Sequence, residues 1–175
     1  MCMMDRGDIP RIIELSPEER AGIAWLARGR HELKRGLPRG VWGGWTSLET
    51  HTMGLTGEYA VAKALGIGVD ISLSRRGDGH TWDLVLRDWR TIEVKYRAQR
   101  GWDFALWTDQ IEEFVADVGV LCWPGVREDT VEIVGCISRQ RFGKIATITD
   151  YGKGHRLAVG PEEMVPLGYM FGGKR

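Results

Sequence analysis

The sequence predicts a single α/β domain with a mixed central sheet, preceded by an N-terminal helical extension. The chain has 175 residues, 43% of them hydrophobic, which suits one domain with a substantial core. Helical and strand-like apolar patterns alternate along the chain between polar or glycine-containing turns. The predicted order is helix 47–66, strand 69–73, hairpin 82–97, helix 102–115, strands 117–124 and 131–137, and a short helix capped by Ser138. We therefore divide the chain into an extension, residues 1–46, and a core, residues 47–175.

Composition limits the possible partners and the cell compartment. The formal net charge is zero, so nucleic acid would have to be attracted by local basic patches rather than by an overall field. Cys122 and Cys136 lie in apolar runs, which is typical of buried thiols in a reducing cytosol. The N-terminus lacks the apolar core of a signal peptide, and no run reaches membrane-spanning length. We expect a cytoplasmic protein of a bacterial, archaeal or phage-infected cell, without membrane contact.

The extension is predicted to carry one helix with a basic end. The stretch from Ser16 to Glu19 is a capping box with proline at the first helical position, so a helix should begin there. Residues 28–40 hold five positive side chains against Glu32 alone: Arg28, Arg30, Lys34, Arg35 and Arg39. Two interpretations remain open. The charges either complement the C-terminal end of a helix or form a patch that contacts DNA phosphates.

The predicted hairpin brings three charged side chains together. Because side chains alternate across a strand, Glu93 and Lys95 share one face of the second strand. A short turn near Asp88 places Asp83 of the first strand close to Glu93. Two carboxylates and an ammonium suit a hard divalent cation with a cationic group beside the water that it activates. A solvated face with cross-strand ion pairs is the alternative interpretation.

A further carboxylate falls on the apolar face of helix 47–66. Leu55, Ala62 and Leu65 share a helical face with Glu58. A carboxylate in such a position is costly unless it is paired or linked to a metal. The alternative is that Glu58 lies at the margin of the face and reaches solvent or meets an arginine.

These residues, in this order, resemble the PD-(D/E)XK nuclease superfamily over roughly residues 54–138. The matching positions are Glu58 in GLTGEYAVAKALG, Asp83 in TWDLVL, and Glu93 and Lys95 in TIEVKYR. The resemblance implies a restriction-endonuclease-like αβββαβ core, with a mixed central sheet flanked by helices. One departure is Trp82, which stands where the motif has proline.

The resemblance also implies a function and a set of site residues. The expected activity is Mg²⁺-dependent hydrolysis of DNA phosphodiester bonds, with Mn²⁺ able to substitute. Asp83, Glu93 and the Val94 carbonyl would bind the metal, and Lys95 would lie beside the attacking water. Glu58 would be an accessory carboxylate that binds a second metal or a metal-bound water. Asp78 is a rival ligand, although its glycine neighbours favour a turn.

Basic residues around the hairpin are candidates for DNA contact: Arg75, Arg76, Arg97 and Arg100. Solvated surface arginines are the ordinary alternative. Two other functions remain open. The first is a structure-selective Holliday-junction resolvase, because archaeal junction resolvases show a similar run of charged residues and act as homodimers. The second is a DNA-binding module that keeps the fold without cleavage.

Overall fold

The structure is a computed structural model of the chain, and it describes residues 9–33, 47–69, 71, 82–108, 114–152 and 154–171. Its helices are α1 Pro17–Leu33, α2 Ser47–Leu65, α3 Arg139–Ile145 and α4 Leu167–Phe171. Its strands are β1 Ile12–Glu14, β2 Leu84–Val85, β3 Thr91–Tyr96, β4 Phe104–Trp107, β5 Val118–Pro124, β6 Thr130–Ser138, β7 Thr147–Asp150 and β8 His155–Val159. Within these ranges, no helix combines the length and the apolar composition needed to cross a membrane.

The central sheet has five strands in the order β1-β6-β5-β3-β2. Strands β3 and β5 are parallel, and the other neighbouring pairs are antiparallel. The prediction of an α/β chain with a mixed central sheet is therefore confirmed. The predicted hairpin and the two strands of residues 117–137 lie within this sheet, whereas β1 was not predicted.

A second, three-stranded sheet has the order β4-β8-β7 and is antiparallel throughout. Its presence corrects the prediction of a helix over residues 102–115. The described part of that segment forms strand β4, which pairs from Phe104 with Val159 to Trp107 with Arg156. Residues 109–113 lie outside the described part of the chain. The helix that an αβββαβ core requires between β3 and β5 is thus absent from residues 102–108 and 114–117.

Each face of the central sheet carries its own apolar core. On one face, α1 and α2 pack on Ile92, Val94 and Val120. Helix α2 comes so close to β3 that a Cβ at Gly57 would lie 3.0 Å from the Tyr96 Cβ.

On the other face, the second sheet and α3 build a core around three phenylalanines, Phe104, Phe114 and Phe142. Gly119 of β5 leaves the room that the Phe104 ring fills, because a Cβ there would overlap the ring. The Phe104 ring therefore packs on Gly119 of β5, the residue that is paired with Glu93 of β3.

The N-terminal extension contributes to the first of these cores. Its helix begins with the predicted capping box, in which Ser16 Oγ accepts from the Glu19 N–H at 3.2 Å and Glu19 Oε2 accepts from the Ser16 N–H at 2.7 Å. The buried residues of α1 include Ile23, Leu26 and Ala27, which pack in the same cluster as the buried residues of α2. Helix α1 is therefore part of the domain's packing.

Other predictions have mixed outcomes. Ser138 caps α3 by accepting from the Arg141 N–H at 3.2 Å, as predicted. Cys122 and Cys136 are buried free thiols, also as predicted. The strand predicted at 69–73 is not seen at residues 69 and 71, and its other positions lie outside the described residues.

Candidate metal and active site

The β2–β3 hairpin positions Asp83 as the sequence predicted. Leu84 pairs with Ile92 and Val85 with Thr91, so Asp83 arrives at the level of Glu93. The Asp83 N–H donates to the Ile92 carbonyl at 2.9 Å, which anchors its backbone just before the strand begins. The turn is closed by Leu86 and Arg90, which are joined by a main-chain hydrogen bond of 2.8 Å.

The Asp83 carboxylate accepts a main-chain hydrogen bond from β3, just before the start of β2. Its Oδ2 accepts from the Val94 N–H at 2.7 Å. On the opposite side of β3, Val94 is aligned with Val120 of the parallel strand β5. In a strand, the N–H and C=O of one residue point to the same side, so the Val94 carbonyl is directed towards the Asp83 side of β3. A carboxylate and a main-chain carbonyl are therefore available at this edge.

Glu93 and Lys95 lie side by side on one face of β3. Their side chains form an ion pair between Lys95 Nζ and Glu93 Oε1, and the exposed fractions are 28% for lysine and 16% for glutamate. Both side chains are therefore partly withdrawn from water. A low-dielectric setting of this kind strengthens their interaction with any nearby charge.

The environment of Asp83 disfavours its negative charge. Burial, and then the charge of Glu93, raise the pKa of Asp83 from 3.8 to about 7. Lys95, the Val94 N–H and Arg30 act in the opposite direction and stabilise the carboxylate. Burial and the charge of Glu93 therefore outweigh Lys95, the Val94 N–H and Arg30, and a cation bound beside the two carboxylates would lower the pKa of Asp83 again.

Glu58 meets an arginine, one of the alternatives left open by the sequence. Arg30 Nη1 lies 3.8 Å from Glu58 Oε2, with exposed side-chain fractions of 8% and 14%. The Arg30 guanidinium is buried against Glu58, whereas the predicted phosphate contact would require it on the surface. Since Ile23, Leu26, Ala27 and Arg30 follow one helical face, the spacing in the sequence did carry the signal for this burial.

Arg97 and Arg100, predicted to contact DNA, have partners within the chain. The Arg97 guanidinium donates to the carbonyls of Asp103, at 3.1 Å, and Ala105. Burial lowers the pKa of Arg97 to about 10. Arg100 is exposed, with an ion pair of 2.6 Å to Glu132. Arg97 thus joins the end of β3 to β4, which is a structural task.

Of the other residues predicted to contact DNA, one lies on the surface of the described part of the chain and the rest lie outside it. Arg28 is exposed on α1. The others lie outside the described residues: Arg75, Arg76, Lys34, Arg35, Arg39 and the rival ligand Asp78. The structure therefore leaves these assignments as predictions.

The described residues offer a small set of hard oxygen donors. They contain no group of three or more histidine, cysteine, aspartate or glutamate side chains placed to hold a metal ion together. They do contain the pair of carboxylates of Asp83 and Glu93, with the Val94 backbone between them.

The chain was compared with protein-family models, with curated proteins and with solved structures, and none of them matches it.

Proposed function

We propose that the protein is a Mg²⁺-dependent nuclease that hydrolyses DNA, built on a restriction-endonuclease-like core in which strand β4 takes the place of the first part of the helix expected between β3 and β5. The observation that carries the proposal is the hydrogen bond from the Val94 N–H to Asp83 Oδ2, at 2.7 Å. This bond places one carboxylate beside the backbone of the residue that separates Glu93 from Lys95. The residues that match the PD-(D/E)XK pattern, Asp83, Glu93 and Lys95, therefore lie near one another at this edge of the sheet.

The donor set fits Mg²⁺ chemically. Carboxylate and main-chain carbonyl oxygens are the ligands that Mg²⁺ takes from proteins, and few protein ligands are needed because Mg²⁺ keeps several waters. Asp83, Glu93 and the Val94 carbonyl would hold the ion, and Mn²⁺ would substitute for it. When bound, the metal lowers the pKa of a coordinated water and offsets the charge of the scissile phosphate.

The side chains of the protein have separable tasks in this proposal. Asp83 is fixed by the Val94 N–H and so presents its other oxygen in a defined direction. Glu93, which is paired with Lys95 in the structure, would bind the cation in place of that ion pair. The Lys95 ammonium would then be available to orient the attacking water or to stabilise the negative charge that develops on the phosphate.

The test is cleavage of supercoiled, linear, single-stranded and branched DNA in Mg²⁺, in Mn²⁺ and in EDTA. We expect cleavage with either metal and none in EDTA. Glu93→Gln should abolish it, whereas Asp88→Asn, an isosteric change at the exposed turn of the same hairpin, should leave it intact. Preferential cleavage of branched DNA by a homodimer would select the resolvase type of nuclease. DNA binding without any cleavage would select the non-catalytic module and refute the proposal.

A further inference from the structure

Arg30 reaches the neighbourhood of the candidate site from the last turn of α1. It continues the buried face of that helix, and only 7% of the residue is exposed. Its Nη1 lies 3.8 Å from Glu58 Oε2, and the Glu58 side chain is 14% exposed. A charge buried to this extent is tolerated when it is paired, so the two side chains depend on each other.

The positive charge of Arg30 also acts on Asp83. It is one of the groups that stabilise the charged form of Asp83, together with Lys95 and the Val94 N–H. Gly57, the neighbour of Glu58 in α2, lies so close to β3 that a Cβ there would be 3.2 Å from Val94 Cγ1, so the Arg30–Glu58 pair lies beside this strand. Glu58 approaches it from α2, on the sheet face that α1 and α2 cover, whereas Glu93 and Lys95 lie on the other face of β3.

The balance of charge around the site favours one divalent cation over two. When Asp83 is ionised, the three carboxylates of Glu58, Asp83 and Glu93 are opposed by the two side-chain cations of Lys95 and Arg30, which leaves one negative charge. One divalent ion would convert this to one positive charge. A second ion would leave three positive charges in a poorly hydrated region, and it would have to displace the guanidinium from Glu58.

Resting on the proposed function, we propose that the centre binds a single divalent cation on Asp83 and Glu93, and that Arg30 takes the place of a second metal ion at Glu58. This replaces the expectation that Glu58 binds a second metal. Arg30 is accordingly a positioning residue. It holds Glu58 away from the metal, and it supplies a positive charge that does not depend on the concentration of metal ions.

The experiment counts Mn²⁺ ions per chain, by calorimetry and by the electron paramagnetic resonance signal of the free ion. The wild type should bind one Mn²⁺, and Glu58→Gln should also bind one, because Glu58 is not a ligand. Arg30→Met should either bind a second Mn²⁺ or bind the first at least about tenfold more tightly, since one positive charge is removed nearby. Arg30→Lys, which keeps the charge, should bind one.

A second variant protects the test against misfolding. Arg30→Met removes a cation that is paired with the buried Glu58, which destabilises the fold. The double variant Arg30→Met with Glu58→Gln removes both charges, and it should fold and bind one Mn²⁺. Two ions bound by the wild type, or a lost ion in Glu58→Gln, would overturn the inference and leave the nuclease proposal standing. No ion bound by the wild type would overturn both.

Discussion

Replacing Asp83 with asparagine tests the electrostatic character of the site without using catalysis. The asparagine Oδ1 can still accept from the Val94 N–H, so the geometry of the hairpin is preserved while the charge is removed. In the wild type, burial and the charge of Glu93 raise the pKa of Asp83 from 3.8 to about 7. The folded chain therefore binds more protons than the unfolded chain between these two pH values.

The sign and size of the effect follow from this difference. When the folded state binds more protons, the free energy of unfolding falls as the pH rises, so the Asp83 contribution is lost between about pH 4 and pH 7. About 3 pKa units at about 1.4 kcal/mol each amount to about 4 kcal/mol. The asparagine side chain of the variant does not titrate. The stability of Asp83→Asn relative to the wild type should therefore rise by up to about 4 kcal/mol from pH 4 to pH 8.

The assay is urea unfolding in EDTA at several values of pH, followed by tryptophan fluorescence. The matched control is Asp88→Asn in the turn of the same hairpin. There, hydrogen bonding and charge from Arg90 lower the pKa of Asp88, so the relative stability of this variant should change in the opposite direction. Adding Mg²⁺ at pH 8 should stabilise the wild type by about 1.4 kcal/mol for each tenfold excess over its dissociation constant. It should not stabilise Asp83→Asn.

One result would refute the reasoning. If the difference in unfolding free energy between the wild type and Asp83→Asn were the same at pH 4 and pH 8, the Asp83 carboxylate would not be held in an unfavourable environment. The argument that a cation is needed at this position would then fail, whatever the activity of the protein.

Three further substitutions test other parts of the structure. Lys95→Met should bind Mg²⁺ as tightly as the wild type or more tightly in calorimetry, because Glu93 loses its competing ion pair, while single-turnover DNA cleavage falls about 10²-fold. Unchanged cleavage would place the reaction elsewhere. Gly119→Ala should lower the free energy of unfolding in urea by about 1–3 kcal/mol, because the methyl group overlaps the Phe104 ring; an equally stable variant would contradict that packing. Arg97→Met should lower the melting temperature but leave the salt dependence of DNA binding unchanged in anisotropy titrations; a flatter dependence would mean a phosphate contact.

The parts of the fold that sequence predicted are those set by local patterns. Helix α2 was predicted as residues 47–66 and observed as Ser47–Leu65, and the alternation in TIEVKY gave both the bounds of β3 and the shared face of Glu93 and Lys95. The approach of Asp83 to Glu93 followed because the turn that joins their strands is short. In each case, the residues that determine the structure lie within about twenty positions of each other.

The parts that failed depend on distant segments of the chain. The apolar residues of 102–115 fit a helical spacing, but Phe104–Trp107 pairs with a strand about fifty residues later, and nothing in the local pattern identifies that partner. Arg30 was counted with the basic patch because of its charge. The spacing along α1 indicated that Arg30 lies on the buried face, but its partner Glu58 belongs to another helix and could not be identified from that spacing.

The hydrogen bond between Val94 and Asp83 makes one backbone amide a natural probe of the candidate site. Most strand amides are bonded to carbonyls, whose hydrogen bonding is indifferent to ions and protons in solution. The Val94 amide is bonded to a carboxylate at 2.7 Å, so its proton resonance will respond directly when that carboxylate is protonated or binds a cation. A ¹⁵N-labelled sample of the unmodified protein can therefore be screened against metals, pH values and oligonucleotides by following a single cross-peak, with no substitution or attached label in the site.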